Sequence, residues 1–393
     1  MSDAVLPGRE ALAAVDRWVR DRSGEIVADI EALVRLETPS TDKVLLGRGL
    51  DWLRKRTEQV VGAPDAVELV DGGERGDVLV LTYAGTGAAV VTFLCHYDTV
   101  WDAGTFAGRP YALDGDTAVG PGIFDMKAGC IQAVWSLAAL RAAGLPAPTV
   151  RIVYTGDEEI GSEASRATIE RYAAGSDLVM LFEPSEQGCV KTERKGIGRF
   201  FATVHGRAAH AGNHYEEGVS AVDELARLTV ALHGLTDLSA GTTVNVGVVA
   251  GGTRSNVVAA QANAEIDVRV ARVAEMERID AALAAVRPHH PNARIELTGG
   301  WNRPPMERSE LTVAPYRIAR DVAALLGREL GEVAVGGGSD GNFAAALGVP
   351  VLDGMGAVGG HPHAPGEFIA VSASVDRVAI ATGVLAALGA GPG

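Results

Sequence analysis

Apolar positions in the first half of the chain alternate between two spacings. Residues 10–36 place apolar side chains at helical spacing, whereas residues 77–83 and 89–95 are short apolar runs rich in β-branched residues. The alternation continues with a predicted helix over 129–143, a strand over 149–155, a helix over 163–174 and a strand over 177–182. Strands that alternate with helices in this way predict an α/β sheet that is covered by helices on both faces.

A different pattern fills residues 196–304. Strand-like runs over 198–205, 242–249, 262–270 and 293–298 frame helical stripes over 219–232 and 273–286, which gives the order βαββαβ. This is the order of a split-βαβ, ferredoxin-like α+β sandwich. The α/β pattern resumes with helices over 311–326, 342–347 and 373–388 and strands over 332–335 and 349–352. We therefore predict an α/β domain of residues 1–195 and 305–393, interrupted by a smaller inserted domain of residues 196–304.

The charge balance narrows the classes of partner. The 393 residues include 35 Lys and Arg against 50 Asp and Glu, so the formal net charge is −15. A nucleic acid or an anionic membrane surface requires clustered basic residues, and the sequence has no such run. We expect neither partner.

The lack of a signal-peptide pattern and the small number of cysteines predict a cytoplasmic protein. The N-terminal residues lack the apolar core of a signal peptide, and we expect no stretch that supplies the ~20 apolar residues of a membrane span. The three cysteines, Cys95, Cys130 and Cys189, lie far apart without a CxxC spacing. A sparse, odd set of thiols favours a reducing compartment.

Candidate chemistry is concentrated at the ends of predicted strands, where open α/β sheets usually bind ligands. His96 and Asp98 follow the strand over 89–95, and side chains two residues apart lie on the same side of an extended chain. Both could reach one metal ion, or Asp98 could orient the imidazole as a partner behind it; an ordinary strand-end histidine is the alternative. Asp125 lies among glycines before a buried helix, where capping of that helix is the simpler explanation.

Further acids follow the next two predicted strands. Asp157, Glu158 and Glu159 come directly after the strand over 149–155, and adjacent acids there repel one another unless a cation or a proton compensates. Glu183 follows the strand over 177–182, and His363 precedes the last helix. Two mixed nitrogen and oxygen sites of the kind that suits Zn²⁺ can be made from His96, Asp125, Glu159, Glu183 and His363. Glu159 would then bind metal while Glu158 transfers protons.

Five segments carry a resemblance to a known superfamily. They are, in chain order, HYDTV (96–100), GPGIFDMKAG (120–129), TGDEEIGS (155–162), FEP (182–184) and HAPGEF (363–368). The set resembles the signature blocks of the zinc metallopeptidase superfamily of glutamate carboxypeptidase, acetylornithine deacetylase, succinyl-diaminopimelate desuccinylase and aminoacylase. Residues 251–257 and 336–340 resemble the glutamate carboxypeptidase branch. The resemblance implies a zinc-exopeptidase-like catalytic α/β domain, and a di-zinc hydrolase that cleaves the amide bond next to a C-terminal amino acid.

The resemblance also implies a ligand set for two Zn²⁺ ions, for which Co²⁺ or Mn²⁺ would be substitutes. Asp125 would bridge the two ions. His96 and Glu183 would complete one site, and Glu159 and His363 would complete the other.

Other implied roles concern the residues around these ligands. Asp98 would orient His96, and Glu158 would be the general base. The peptide bond between residues 125 and 126 would be cis. The family spacing to the glutamate at 367 selects His363, not His361, as the ligand.

The inserted domain contributes three candidates by the same resemblance. His210 would stabilise the oxyanion, often from the partner subunit, and Asn256 and Arg269 would bind the carboxylate of the substrate. An arginine can bind a carboxylate through two parallel hydrogen bonds. The implied substrate is a small peptide or an N-acyl amino acid with a free carboxylate. The implied assembly is a homodimer formed through the inserted domain.

Several other functions stay open at this point. The same metal site would serve an N-acyl-amino-acid amidohydrolase or a dipeptidase. Residues 337–341 satisfy G-x-S-x-G, and Ser339, Asp353 and His363 follow the chain order of an α/β-hydrolase triad, which makes a serine hydrolase the mechanistic rival. That alternative leaves the acid-rich strand ends unexplained. A non-catalytic binding protein would not need the acid at Glu158.

Overall fold

The computed structural model describes residues 5–105 and 111–391, and these residues form ten α-helices and sixteen β-strands. The helices are α1 (Arg9–Asp21), α2 (Ser23–Val34), α3 (Lys43–Val61), α4 (Ala128–Ala142), α5 (Arg166–Ala173), α6 (Ala221–His233), α7 (Val273–Ala284), α8 (Glu310–Leu325), α9 (Gly341–Ala346) and α10 (Val371–Gly389). The strands are β1 (Ala66–Val70), β2 (Val78–Tyr83), β3 (Val90–His96), β4 (Ala112–Asp114), β5 (Thr117–Val119), β6 (Thr149–Thr155), β7 (Leu178–Leu181), β8 (Val190–Arg194), β9 (Gly196–His205), β10 (Thr243–Gly251), β11 (Gln261–Val270), β12 (Arg294–Arg303), β13 (Glu332–Val335), β14 (Val351–Leu352), β15 (Gly359–Gly360) and β16 (Phe368–Ala370).

The chain divides into two compact units. The first unit contains the described residues of Met1–Glu193, Arg308–Ala334 and Ser339–Gly393, and the second contains Arg194–Glu307 and Val335–Gly338. The predicted boundaries at 195/196 and 304/305 lie near the divisions after Glu193 and after Glu307. The segment Val335–Gly338 also belongs to the second unit, and the sequence pattern did not predict this.

The first unit is built on a six-stranded sheet of order β1-β2-β6-β3-β7-β14. β3 pairs in parallel with β6 and β7, and β14 pairs in parallel with β7, whereas β1 and β2 run antiparallel to their neighbours. The central strands β3 and β7 are almost entirely buried, as expected of strands covered on both faces. A smaller sheet of order β15-β16-β5-β4 and the strand pair β8-β13 accompany it. The mixed α/β class predicted from the sequence is confirmed.

Two helices lie at the centre of the hydrophobic core of this unit. α4 is buried from Ala128 to Leu140, and α10 is buried over most of its length. By length and composition, Ile123–Ala142 and Val371–Gly389 are long and apolar enough to cross a membrane. However, 94% of the first apolar stretch and 78% of the second are buried inside the protein. The expectation that no stretch supplies the ~20 apolar residues of a membrane span was therefore wrong. Burial in the core accounts for the apolar composition of both helices.

The N-terminal helices differ from the sequence prediction. The single helix predicted over 10–36 is broken at Arg22, whose φ of −109° and ψ of 9° fall outside the helical range. α3 had no predicted counterpart, although the Asp42 side chain caps it by accepting hydrogen bonds from the backbone N–H groups of Val44 and Leu45. The short strands β1, β4, β5, β8, β15 and β16 were also missed, because two to five residues are too few to show a period.

The second unit contains an antiparallel sheet of order β10-β11-β9-β12 together with α6 and α7. Its elements follow the order βαββαβ that the sequence pattern predicted. Alternate residues of β9 and β11 are buried, among them Val204 and Ile266, and they pack with Leu225 of α6 in a core of their own. Assignment of this unit to the ferredoxin-like class stays a prediction.

Candidate metal centre

Three parallel strands bring acids and a histidine to one edge of the main sheet. β3 ends at His96, β6 is followed by the turn that carries Glu158 and Glu159, and β7 is followed by Glu183. Because β6, β3 and β7 are neighbours in this order and run parallel, their carboxyl ends meet at the same edge. The strand ends that the sequence was expected to bring into one site therefore lie side by side.

The buried half of the site centres on His96, which is 2% exposed. Its Nε2 lies 3.0 Å from Oδ1 of Asp125 and 3.6 Å from Oε1 of Glu183. Its Nδ1 lies 3.1 Å from the carbonyl oxygen of Asp98, and this oxygen can only accept a hydrogen bond. Nδ1 therefore carries a proton in this contact. The other nitrogen, Nε2, faces the carboxylates of Asp125 and Glu183. Loss of the Nε2 proton would leave a neutral ring whose Nε2 lone pair is available to a metal.

The exposed half of the site centres on His363. Its Nε2 lies 3.1 Å from Oε2 of Glu159 and 3.3 Å from Oδ2 of Asp125, and its side chain is 51% exposed. The two oxygens of Asp125 therefore face different histidines, Oδ1 toward His96 and Oδ2 toward His363. This is the arrangement expected of a carboxylate that bridges two cations. The peptide bond between Asp125 and Met126 is cis, as the family resemblance implied.

Asp98 is fully buried and holds the turn that carries the two glutamates. Its carboxylate accepts hydrogen bonds from the backbone N–H groups of Glu158 and Glu159, each at 3.2 Å, and from the Ser40 hydroxyl at 2.7 Å. Its Oδ1 lies 3.5 Å from Nδ1 of His96, so the predicted orienting contact is made more closely by the Asp98 carbonyl. Ser40 was not among the residues predicted from the sequence. Its partner is 58 positions away in the chain, and no local motif marks such a contact.

The charged groups of the cluster shift one another's pKa. Burial opposes the charge on His96, but hydrogen bonds with Asp125 and Asp98 outweigh it and raise the pKa of His96. Hydrogen bonds with Asp125 and Glu159 raise the pKa of His363 to about 10. Burial and the charge of Asp125 raise the pKa of Glu159 to about 7. Burial also opposes the charge on Asp125, but hydrogen bonds with His363 and His96 lower its pKa below the usual range. A bound cation would replace the protons that these pairs share.

The donor set fits a metal ion. Ligand atoms of His96, Asp125 and Glu159 lie within 4.8 Å of one another. Oε1 of Glu159 is buried and, among the described residues, has no hydrogen-bond partner. Buried polar atoms normally have one, so this oxygen is available to a cation. Imidazole nitrogen and carboxylate oxygen are both ligands that Zn²⁺ accepts.

In the second unit, the segments of two predicted site residues lie together. His210 forms an isolated antiparallel β-bridge with Val257, and the backbone N–H of Ala211 donates to the carbonyl of Asn256 at 3.0 Å. Nδ1 of His210 accepts hydrogen bonds from the backbone N–H groups of Gly212 and Asn213, each at 3.1 Å. The neutral ring therefore carries its proton on Nε2, as a donor to an oxyanion requires.

Arg269 is held differently within the second unit. Its guanidinium makes two parallel hydrogen bonds with the Asp267 carboxylate, at 2.8 and 3.0 Å. Asp267 lies two positions earlier on β11, so this ion pair explains the presence of Arg269 as well as a role in substrate binding would. The roles predicted for His210, Asn256 and Arg269 stay predictions.

The serine hydrolase alternative fails on geometry. Ser339 is 0% exposed, and its hydroxyl donates to Oδ2 of Asp353 at 2.9 Å while accepting from the backbone N–H of Gly341. A serine nucleophile needs access to substrate and a histidine base within hydrogen-bond reach. His363, the histidine of the proposed triad, instead contacts Asp125 and the Glu159 carboxylate.

Comparisons with known proteins identify the family. The model of the family described as peptidase family M20/M25/M40 matches residues 92–388. The chain belongs to this family. Carboxypeptidase G2 of Pseudomonas sp. (strain RS-16) is 30% identical over 388 residues, which cover 94% of this chain and 91% of that protein. The chain is therefore a hydrolase of the metallopeptidase class, and the predicted superfamily is confirmed.

Solved structures of M20 peptidases and related enzymes share the fold. Aminopeptidase PepT from Bacillus cereus matches with a TM-score of 0.77 at 21% identity, covering 93% of this chain and 98% of that one. The YXEP protein of Bacillus subtilis, described as a dinuclear metal binding peptidase from the M20 family, matches with a TM-score of 0.67 at 16% identity, covering 94% and 98%. At these identities the likeness concerns the fold alone.

Proposed function

We propose that this M20 peptidase is a metallocarboxypeptidase that releases a C-terminal amino acid, with glutamate as the preferred residue. The observation that carries the proposal is Asp125, whose two oxygens face His96 and His363 while Glu158 lies next to the ligand Glu159. Similarity over 94% of the chain to a carboxypeptidase supports the carboxypeptidase activity, and the glutamate preference follows from the resemblance of residues 251–257 and 336–340 to the glutamate carboxypeptidase branch.

The proposed metal set is two Zn²⁺ ions per chain, with Co²⁺ or Mn²⁺ as substitutes. His96 and Glu183 would hold one ion, Glu159 and His363 the other, and Asp125 both. When bound, such a pair of cations lowers the pKa of a water molecule and stabilises negative charge that develops on the substrate carbonyl.

Glu158 is the proposed proton carrier of the reaction. It accepts a proton from the attacking water and returns it to the amine that leaves, so one carboxylate serves both halves of the cycle. Asp98 fixes the backbone of this residue and of the neighbouring ligand Glu159, at 3.2 Å from each backbone nitrogen. A proton acceptor and a metal ligand are thereby held in one turn.

The substrate is proposed to occupy a cavity of about 430 Å³ that opens beside Asp125. Its lining includes Phe124, Ser185, Gln187 and His361. This volume lies in the range of small-molecule sites, of roughly 300–1,000 Å³, and suits a substrate of one or two residues. Apolar and polar walls together suit an acyl group with a polar end.

The second unit is proposed to supply three further groups. Arg269 and Asn256 bind the carboxylate of the substrate, and Nε2–H of His210 donates to the oxyanion. For Arg269 this requires that the substrate carboxylate compete with Asp267 for the guanidinium. A homodimer formed through this unit is part of the proposal. β10 supports it, because this strand is at the edge of its sheet and exposes Val248 and Val249. A cytoplasmic location stays an expectation.

The test is hydrolysis of N-acyl glutamates, other N-acyl amino acids and dipeptides by the Zn²⁺-loaded chain and by Glu158→Gln. We expect preference for C-terminal glutamate, and a kcat for Glu158→Gln that is lower by about 10²–10⁴-fold at unchanged metal content. The matched control is Glu163→Gln, which changes an exposed acid five positions along the chain. A wild-type kcat in Glu158→Gln would overturn the mechanism, and preference for a dipeptide with a free amino group would replace the carboxypeptidase by a dipeptidase.

A further inference from the structure

Glu367 is a buried carboxylate that receives four N–H groups. Its side chain is 2% exposed, and Oε1 accepts the backbone N–H groups of Phe124 and Asp125, each at 2.9 Å. Oε2 accepts the backbone N–H of Gly122 at 2.8 Å and the indole N–H of Trp101 at 3.1 Å. One side chain therefore satisfies three amides of the loop that ends at Asp125.

We propose that Glu367 is a positioning residue that holds Asp125 in its bridging orientation and thereby sets the metal affinity of the site. The proposal rests on the metal ligands of the proposed function. Glu367 contacts the Asp125 backbone and not its carboxylate, so it acts on the cation through Asp125. Partners of this kind, one contact removed from the metal, typically change metal affinity or activity by about 10–100-fold when they are mutated.

A carboxylate is the group that this position requires. All four contacts to Glu367 come from N–H donors, and an ionised carboxylate is an acceptor at both oxygens. A glutamine of the same shape has one accepting oxygen, and its NH₂ group would face N–H donors. Glu367→Gln therefore removes two of the four hydrogen bonds and replaces them by donor–donor contacts. The loop that ends at Asp125 must then move.

Glu367 also couples the two halves of the metal site. It lies four residues after His363 in the same turn, where its backbone N–H donates to the Ala364 carbonyl at 3.1 Å. The Glu367 carbonyl in turn accepts the backbone N–H of Gly120 at 3.2 Å. The segment with one ligand is thus fastened, by backbone and side chain, to the loop with another. His363 needs such support, because its φ of 58° lies in the left-handed region that L residues rarely adopt.

Glu224 provides a matched control in the second unit. It is 3% exposed, and its carboxylate accepts the backbone N–H groups of His289 and His290, each at 2.7 Å. Glu224→Gln therefore makes the same chemical change to a buried carboxylate that holds a loop. A general loss of stability would affect both variants. A loss of metal affinity is expected only for Glu367→Gln.

The experiment measures Zn²⁺ affinity of the full-length chain by competition with a chromophoric chelator, and the visible spectrum of the Co²⁺ form. We expect Kd for Zn²⁺ to rise by about 10–100-fold in Glu367→Gln, with a changed Co²⁺ spectrum, and to stay at the wild-type value in Glu224→Gln. Trp101→Phe removes one donor of the four, so its Kd should rise by only about 2–10-fold. Thermal unfolding of each metal-free variant reports on the fold.

Two results would overturn the proposal: wild-type Zn²⁺ affinity in Glu367→Gln, or equal losses of affinity in Glu367→Gln and Glu224→Gln. Failure of the proposed function has a different signature. A wild-type chain that binds Zn²⁺ but hydrolyses no N-acyl amino acid or dipeptide would refute that function, and the contrast in affinity between the variants would still decide the role of Glu367.

Discussion

The two units hold the predicted site residues in different ways. In the first unit, Asp125 lies 3.0 Å from His96 and 3.3 Å from His363, and other carboxylates adjoin the same histidines. In the second unit, Arg269 is already paired with Asp267 through two hydrogen bonds. Carboxylates gathered at buried strand ends require a cation or shared protons, whereas the arginine pair is satisfied as it stands. A cluster of acids and histidines therefore indicates a metal site by its geometry, whereas the geometry of a paired arginine does not indicate a substrate.

Removal of the proposed ligand His363 from the exposed half of the site is the most severe test of the first unit. We expect His363→Ala to lose one of the two proposed cations and to lower kcat/KM by about 10³-fold or more, because a catalytic cation supplies several kcal/mol of transition-state stabilisation. The measurement combines metal content with steady-state kinetics. His361→Ala is the matched variant, since His361 lines the cavity beside the site. It should keep both cations. Loss of metal from His361→Ala but not from His363→Ala would show that His361, and not His363, is the ligand.

The pH dependence of metal affinity is the second test of the cluster. The pKa of His363 is raised to about 10 and that of Glu159 to about 7, and a bound cation requires both groups without their protons. The pKa of His96 is raised as well, so this ring also loses a proton when a cation binds. Zn²⁺ affinity should therefore rise with pH, by at least about tenfold per unit between pH 7 and 9, and more steeply below pH 7 as Glu159 also holds a proton. Titration at several pH values measures this slope. Glu159→Gln should flatten it below pH 7, and a slope of zero in the wild-type chain would contradict the ligand assignment.

Arg269 tests whether the second unit has a functional role. If Arg269 binds the substrate carboxylate, Arg269→Met should raise KM by about 10–100-fold, the value of a charge-assisted hydrogen bond, and leave metal content unchanged. Arg272→Met is the matched control, because Arg272 makes one ion pair with Glu307 at 3.4 Å and has no predicted substrate contact. Equal KM values in the two variants would contradict a substrate-binding role for Arg269 and leave only its structural pairing with Asp267.

The same contrast explains which parts of the fold and the site the sequence could predict. Strand ends are local features, so the runs before His96, Glu159 and Glu183 indicated both the sheet and the candidate ligands at its edge. Contacts between distant positions have no such signal. Ser40 reaches the Asp98 carboxylate across 58 positions, and the Glu367 carboxylate reaches a loop more than 240 positions earlier. Such partners become visible only when the fold is known.

Helix boundaries show a similar limit. The apolar stripe of 10–36 continues through Arg22 because α1 and α2 face the same core, so periodicity alone could not place the break. α3 was missed despite a local signal, since Asp42 is a capping residue followed by apolar positions at Leu46, Leu50 and Leu53. The first error reflects tertiary packing, whereas the second could have been avoided.

Ser339 gives the smallest expected effect on activity and the clearest separation of structural from catalytic roles. Its buried hydroxyl donates to Asp353 at 2.9 Å, so Ser339→Ala should lower the free energy of unfolding by about 1–3 kcal/mol, because the Asp353 carboxylate loses this donor. The kcat of the folded variant should stay at the wild-type value, and a fluorophosphonate should not inhibit the wild-type enzyme. Chemical denaturation and steady-state kinetics measure the two quantities. A fall in kcat with stability unchanged would support Ser339 as a catalytic nucleophile. A residue that only supports the fold changes the fraction of enzyme that is folded, and not the kcat of the folded enzyme.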